Sequence, residues 1–325
     1  IGLAAPLCLV LLRFIQGLAV GGQWGGAMLL VTESAPADKR GWYGAYAQAG
    51  APMGVILANL AFISVSASMS DEAFLAWGWR LPFIASILLI AISLYIQLRM
   101  EDTEAFKALQ AEQAASPQQA VAERSPVFEA MRRYPRRILL AAGAFLSVQV
   151  TFYILIAFVI AYGLNSPTVD LTRDELLVSV LVAAAIMMPA QFYFSGLSDR
   201  VGRKQIYRWG AILTGIWGFA IFPLVDTGMP IMITLAVTMG MVLLGMQYGP
   251  QAAYFTELFA TEVRYSGASL GYQIGAILGG ALAPTIAVLL WQELGIIYVS
   301  VYILVAALLT LWCLSQLEET GGKAL

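Results

Sequence analysis

Arg13 is a charged residue within an otherwise apolar stretch, and two amide side chains follow it at helical spacing. Gln16 lies three residues on and Gln23 ten residues on, so one helix face would carry all three side chains. A charge inside a membrane span is costly unless it is paired or hydrated, so it indicates a functional site by default. A guanidinium beside amides suits a carboxylate ligand. Two alternatives stay open: Arg13 snorkels to a membrane surface, or it makes a structural contact with a neighbouring helix.

A second group of reactive side chains lies at residues 196–204, with the sequence GLSDRVGRK. Charges and two glycines are concentrated here between uncharged runs at 178–198 and 209–225. Because glycine permits turns that other residues cannot make, the stretch predicts a tight basic loop at a membrane surface. Asp199 stands among the bases, and a carboxylate stabilises a helix N-terminus by accepting its free N–H groups.

Composition indicates an integral membrane protein. The chain is 60% hydrophobic and 12% charged, whereas a soluble domain carries about 25% charged residues. The net charge of −2 gives no basic excess for nucleic acid, and the absence of histidine removes the commonest metal ligand and general base. Cys8 and Cys313 lie in apolar runs and are interpreted as apolar filler. We therefore expect no metal site, no cofactor and no enzyme activity.

Nine charge-free intervals approach the ~20 apolar residues that a spanning helix needs. They are residues 14–32, 42–69, 81–98, 138–169, 176–198, 209–225, 227–256, 265–292 and 294–317. Most Lys and Arg residues lie in one set of alternate loops, and the opposite set holds Arg80 and Arg173. The positive-inside rule then predicts that the basic loops and the C-terminus are cytoplasmic.

The longest hydrophilic stretch, residues 99–137, divides the intervals into three and six. A short internal repeat supports this division. Gln48, Gly50, Ala51 and Gly54 recur with the same spacing as Gln273, Gly275, Ala276 and Gly279. The repeat predicts two related halves of six helices, which is a transporter feature. The first half would lack three helices, and a start at Ile1 without a basic n-region predicts a truncated fragment.

Several stretches resemble known families. Residues 196–204 resemble the major facilitator superfamily loop motif G-x-L-[SA]-D-R-x-G-R-[KR] between helices 8 and 9, and RFIQG at 13–17 resembles R-x-x-Q-G of helix 4. A narrower set resembles the metabolite:H+ symporter family of bacterial inner membranes, which transports shikimate, α-ketoglutarate, citrate, and proline or betaine. That set is GGQWGGA at 21–27, WGWRLPF at 77–83, ELF at 257–259 and VRYSGASLGYQ at 263–273. Residues 71–83 are most similar to shikimate-type members.

The resemblance implies an all-α polytopic membrane protein with the major facilitator fold, of which this chain would hold helices 4–12. Residues 1–98 would be the rest of the N-terminal half, 99–137 a cytoplasmic linker, 138–317 the C-terminal half and 318–325 a cytoplasmic tail. The implied function is proton-coupled symport of a small organic acid, a zwitterion or a related metabolite across the inner membrane. A monomer in the lipid bilayer would do this by alternating access. Uniport, antiport, efflux or an inactive fragment are the alternatives.

The same resemblance implies substrate-binding candidates, because helices 1, 4, 7 and 10 line the cavity in this superfamily. The candidates are Arg13, Gln16, Gln23, Tyr46, Gln149, Tyr153, Gln247 and Tyr248. An interhelical hydrogen bond is the alternative role for any of the uncharged ones. The family usually has Glu where this chain has Gln23, so either another carboxylate would carry the proton or the coupling would be altered.

Gating residues are implied in the same way. In the superfamily the aspartate of the loop motif faces a helix of the other half, which begins here near residues 41–45. We expect Asp199 to hold that helix end while the cytoplasmic side is closed, and Arg203 to pair with Glu257. The candidates are Gly196, Asp199, Arg200, Gly202, Arg203, Lys204, Glu33, Glu257 and Arg264. The alternative for the basic ones is that they only anchor topology.

Overall fold

The computed structural model describes residues 2, 4–99, 107, 126–260 and 263–321, and these ranges are helical with no strand among them. Within them, nine helices are long and apolar enough to cross a membrane. They are α1 (Ala4–Glu33), α2 (Arg40–Ala67), α3 (Gly78–Arg99), α4 (Pro135–Asn165), α5 (Arg173–Val201), α6 (Arg203–Val225), α7 (Pro230–Glu257), α8 (Arg264–Leu294) and α9 (Ile297–Gln316). Two short helices, Asp71–Ala76 and Pro126–Arg133, lie outside the nine. The all-α fold and the nine predicted spans are confirmed. Most of the predicted linker, and residues 322–325 of the predicted tail, lie outside the described residues.

Helix ends differ from the predicted intervals because charged residues belong to the end turns. Arg40 begins α2, Arg203 begins α6 and Arg264 begins α8. Long basic side chains can reach away from the apolar region while their backbone stays helical. An interval bounded by the nearest charges is therefore too short. At the start of α6 it begins six residues too late, at 209 instead of 203.

The prediction of a loop at residues 196–204 is wrong. Helix α5 continues to Val201 and α6 begins at Arg203, so Gly202 alone separates them. Gly202 has a φ of 110°, which glycine adopts without a Cβ clash. Gly196 lies inside α5, where an added Cβ would meet the Trp42 ring at 3.0 Å, so it serves close packing rather than a turn.

Four of the long helices are irregular near their middle. Helix α2 is interrupted at Ala49, between Arg40–Gln48 and Gly50–Ala67. Helix α1 is interrupted at Gly21 and Gly22, between Ala4–Val20 and Gln23–Glu33. Helices α4 and α8 each contain a π-helical segment, Ile154–Phe158 and Ala276–Ala281. Such segments are often found at functional positions.

The core lies within α4–α9, where α7 packs on α5 and α6, α9 on α4 and α6, and α8 on α4. Small residues allow the closest approach. Gly271, Gly275 and Gly279 follow one face of α8, and an added Cβ on Gly275 would lie 2.8 Å from the carbonyl oxygen of Ala142. This stripe of glycines lets the α8 and α4 backbones touch, as in other membrane helix pairs.

The first three spans pack against this core along one side. Helix α2 packs on α5 and α7, the second part of α1 packs on α2, α7 and α8, and α3 packs on α2. We call the contact surface between α1–α2 and α5, α7 and α8 the seam. The first part of α1, Ala4–Val20, has no buried residue among those described, so the seam is formed by the second part.

Candidate functional site

One end of the bundle carries a cluster of charged residues around the seam. Here α1 ends, α2 begins, α5 gives way to α6, and α7 gives way to α8. We call this end, which holds Arg40, Arg203, Lys204 and Arg264, the basic end.

Asp199 joins α5 to the start of α2. Its carboxylate accepts hydrogen bonds from the backbone N–H of Gly41 at 2.8 Å and of Trp42 at 2.9 Å. Lys39, the residue before α2, makes no side-chain hydrogen bond that caps the helix. The aspartate satisfies the two N–H groups and opposes the positive end of the helix dipole. The predicted contact between Asp199 and this helix end is confirmed.

Two further side chains extend the same face of α5 at four-residue spacing. The Ser195 hydroxyl donates to the Gly41 carbonyl at 2.7 Å, and the Gln191 amide donates to the Ala45 carbonyl at 3.1 Å. A Cβ on Gly41 would lie 2.6 Å from the Ser195 carbonyl oxygen, so α2 can come this close because residue 41 is glycine. Ser195 was not predicted. The sequence pattern that could have indicated it is a polar residue at every fourth position of an otherwise apolar helix.

Arg203 connects Asp199 to α7. Its guanidinium makes a two-point contact with Glu257, Nε to Oε2 at 2.8 Å and Nη2 to Oε1 at 3.0 Å, and Nη1 lies 2.8 Å from Asp199 Oδ1. The predicted Arg203–Glu257 pair is therefore present. The Arg203 side chain is 1% exposed, and a buried cation requires such pairing. Arg203 fixes the Asp199 carboxylate at the position from which it reaches α2.

Another ion pair, between α1 and α8, does cross the seam. Arg264 Nη1 lies 3.2 Å from Glu33 Oε1, and both side chains are nearly enclosed. Of the other basic candidates, Arg200 is exposed, and Lys204 Nζ donates to the Leu317 carbonyl at 2.5 Å.

Amides and aromatic rings close the seam deeper in the bundle. The buried Gln48 amide accepts from Trp24 Nε1 at 3.0 Å and donates to the Tyr248 carbonyl at 2.8 Å. Its counterpart in the internal repeat, Gln273, donates to the carbonyl of Gly21 at 2.8 Å. Trp24 also stacks on Tyr272, with ring centroids 4.5 Å apart. The two repeat-related glutamines thus both hydrogen-bond across the seam.

A cavity of about 460 Å³ lies next to this layer. Its polar groups are one amide and three phenols, and none of the described lining residues is charged. A concave apolar site with a few polar groups is typical for a small-molecule ligand. The lining residues are Gly50, Ala51, Gly54, Val55, Ala58, Val148, Gln149, Phe152, Tyr153, Met187, Leu244, Tyr248 and Tyr272.

Three of the eight substrate-binding candidates line this cavity, namely Gln149, Tyr153 and Tyr248. Gln247 is turned to α6, where its Nε2 donates to Thr214 Oγ1 at 2.7 Å. Tyr46 packs edge-on against the Phe192 ring at 4.9 Å. The cavity residues Phe152, Met187 and Tyr272 were not predicted, because their types do not differ from core residues in sequence.

The three candidates on α1 lie outside the lining. Arg13 Nη1 donates to Gln16 Oε1 at 2.9 Å on an exposed part of α1, so these two residues share a helix face as predicted. Gln23 is exposed and begins the second part of α1. A role in substrate binding stays a prediction for all eight.

Comparison with known proteins agrees with this architecture. A family model described as Major Facilitator Superfamily matches residues 1–270. A putative metabolite transport protein of Haemophilus influenzae is 35% identical over 333 residues, covering 98% of this chain and 74% of that protein. The inner membrane metabolite transport protein YhjE of Escherichia coli K12 is 37% identical over 333 residues, covering 100% and 73%. The solved structure of the proton:xylose symporter XylE covers 92% of this chain and 68% of its own, with a TM-score of 0.69 at 18% identity. The chain belongs to the Major Facilitator Superfamily, a family of transporters rather than enzymes.

Proposed function

We propose that this chain acts in proton-coupled symport of a small organic acid or related metabolite across the bacterial inner membrane. The observation that carries the proposal is a seam closed at the basic end, with a small-molecule cavity next to its amide and aromatic layer. A transporter that works by alternating access needs such a state, in which the path to one side is blocked.

The moving units would be residues 1–98 and 138–317, joined by the linker at 99–137 and acting as a monomer within the bilayer. The positive-inside rule makes the basic end cytoplasmic, so the state described here would be closed to the cytoplasm. Opening it would require the bonds from Asp199 to α2 and from Glu33 to Arg264 to break.

The carboxylates of the seam are the candidates for proton coupling. Glu33, Asp199 and Glu257 each hold a partner through a negative charge. Protonation would remove that charge and weaken the corresponding contact. Gln23 cannot take this role, because an amide does not bind and release a proton.

The names of relatives guide the choice of substrates to test. One relative, 35% identical over 288 residues, is the shikimate transporter of E. coli K12. Another, 28% identical over 331 residues, is the proline/betaine transporter of the same strain. We infer that this chain carries a small metabolite with a carboxylate group, either an acid or a zwitterion.

The test is uptake of labelled shikimate, α-ketoglutarate, citrate, proline and betaine into proteoliposomes that contain the chain. An inward proton gradient is expected to drive accumulation of at least one solute, and a protonophore is expected to abolish it. Uptake that follows a sodium gradient and ignores the protonophore would contradict proton symport. Failure to transport any solute with any gradient would contradict transport by this chain.

A further inference from the structure

The carboxylate of Glu319, just beyond α9, lies on the N-terminus of α6. Oε1 accepts the backbone N–H of Arg203 at 2.9 Å, and Oε2 accepts that of Lys204 at 3.1 Å. Oε1 also accepts the N–H of Thr320 and of Gly321, at 3.1 and 3.2 Å. One side chain from the end of the chain therefore binds the turn that contains the Arg203 of the seam.

This helix end needs an external carboxylate. The residue before α6 is Gly202, which has no side chain to cap the free N–H groups. The first turn then begins with Arg203 and Lys204, two cations at the positive end of a helix dipole, which is an unfavourable arrangement. Glu319 supplies both the missing acceptor and a negative charge. An added Cβ on Gly202 would lie 2.9 Å from Glu319 Oε2, so the glycine leaves room for the carboxylate.

The segment that carries Glu319 is packed in place. Lys204 Nζ donates to the Leu317 carbonyl, and the Tyr254 hydroxyl donates to the Glu318 carbonyl at 3.0 Å. The next residue, Thr320, is 0% exposed. Glu319 is thus held by contacts to α6 and α7 that do not involve its own side chain.

Arg203 links this cap to the seam. Its backbone N–H is bound by Glu319, while its guanidinium reaches Glu257 and Asp199. We propose that Glu319 is a positioning residue for the closed state. By fixing the first turn of α6, it places the Arg203 guanidinium where that group holds Asp199 against α2. This inference rests on the proposed function, since closing and opening of the seam is the step that it assigns to Glu319.

The experiment measures from which side the cavity can be reached. Ala58 lines the cavity, and Ala58→Cys in a Cys8→Ser background provides a reporter, because the other cysteine, Cys313, is buried. The full chain is labelled with a membrane-impermeant maleimide from the basic end, and separately from the opposite end. Glu319→Gln is expected to label about tenfold faster from the basic end, because loss of the charge shifts the population towards the open seam. Labelling from the opposite end should slow.

Glu318→Gln is the matched control. The Glu318 carboxylate is next to Glu319 in sequence but contacts Arg137, at 3.2 Å, rather than the α6 N-terminus. The Arg137 and Glu318 side chains are both about half exposed. The control is expected to label like the parent. Glu319→Asp keeps the charge, and we expect its labelling rates to stay near those of the parent.

Three results would overturn the proposal. They are equal labelling rates in E319Q and E318Q, faster labelling from both ends in E319Q, and a rate in E319D as high as in E319Q. Faster labelling of E319Q from both ends would mean that the whole fold has loosened. Labelling and uptake of the parent protein are measured in parallel. If the parent does not transport any solute, that result contradicts the proposed function, whereas the labelling rates of the variants test the role of Glu319.

Discussion

At the scale of single residues, the basic end depends on charges that each make more than one contact. Asp199 accepts two N–H groups of α2 and pairs with Arg203, and Arg203 also pairs with Glu257. Charge-assisted hydrogen bonds of this kind contribute about 1.5–3 kcal/mol each. Removing one charge should therefore change the closed state more than an ordinary surface substitution would.

Asp199→Asn is expected to weaken closure of the basic end. The amide keeps the shape of the side chain but loses the negative charge that opposes the α2 dipole and pairs with Arg203. Labelling of the Ala58→Cys reporter from the basic end should rise roughly tenfold. Asp38→Asn is the control, an exposed carboxylate near the same helix end. Equal rates in the two variants would contradict the role of Asp199.

Arg13→Ala tests the substrate role predicted for α1. If the guanidinium binds a carboxylate of the substrate, the concentration for half-maximal uptake should rise at least tenfold, since charge-assisted pairs are strong. Gln16→Ala removes the hydrogen-bond partner of Arg13 and should have a smaller effect. Unchanged half-saturation with normal expression would remove Arg13 from the site.

At the scale of elements, the seam depends on how closely α2 approaches α5. The approach uses backbone groups of α2 at Gly41 and Ala45, which bind the side chains that face them from α5. Such contact needs a small residue on α2 and polar residues at four-residue spacing on α5. Both occur at this crossing, so the helix pair has one favoured register.

Gly41→Ala is expected to destabilise the protein by about 1–3 kcal/mol, the usual cost of overpacking. The added methyl would lie 2.6 Å from the Ser195 carbonyl oxygen, a backbone atom that cannot turn away. The melting temperature in detergent measures the effect. Gly50→Ala, on the same helix, is the control, since its methyl would meet no described atom within 4 Å. A melting temperature of the Gly41 variant equal to that of the Gly50 variant would contradict the steric argument.

At the scale of the whole molecule, the first three spans meet the last six at the seam. The two layers of the seam differ in chemistry, with ion pairs at the basic end and amides and aromatic rings beside the cavity. A transport cycle would have to separate both layers, so a covalent bond across either should stop it.

A disulfide between Gly25→Cys and Ser269→Cys is expected to lock the seam. A Cβ built on Gly25 lies 3.3 Å from the Ser269 Cβ. The two Cβ atoms of a disulfide are usually about 3.5–4.5 Å apart, so the geometry is close to what the bond requires. In a Cys8→Ser background, oxidation should abolish uptake and a reductant should restore it. Each single-cysteine variant serves as control. Normal uptake by protein shown to be fully cross-linked would contradict alternating access at this seam.

Much of this arrangement could be predicted from the sequence because it depends on local chemistry. Apolar length predicted the nine spans, and the GLSDRVGRK motif with its family resemblance predicted that Asp199 reaches the start of α2 and that Arg203 pairs with Glu257. The same motif was expected to be a loop, because glycines and charges are typical of turns. In the structure α5 instead continues to Val201 and α6 begins at Arg203, and side chains of the motif bind groups of neighbouring helices.

The sequence by itself determined which segments are helical, where the charges lie and which helix face carries a given residue, because each depends on the order of residues along one helix. Only the tertiary structure decided which faces meet. In the tertiary structure Gln247 contacts α6, whereas Tyr248 lines the cavity. Arg13 lies outside the cavity lining, and Glu319 binds the start of α6. Helical periodicity fixes the relative directions of side chains, but the neighbour that each one meets depends on the rotation and crossing of separate helices.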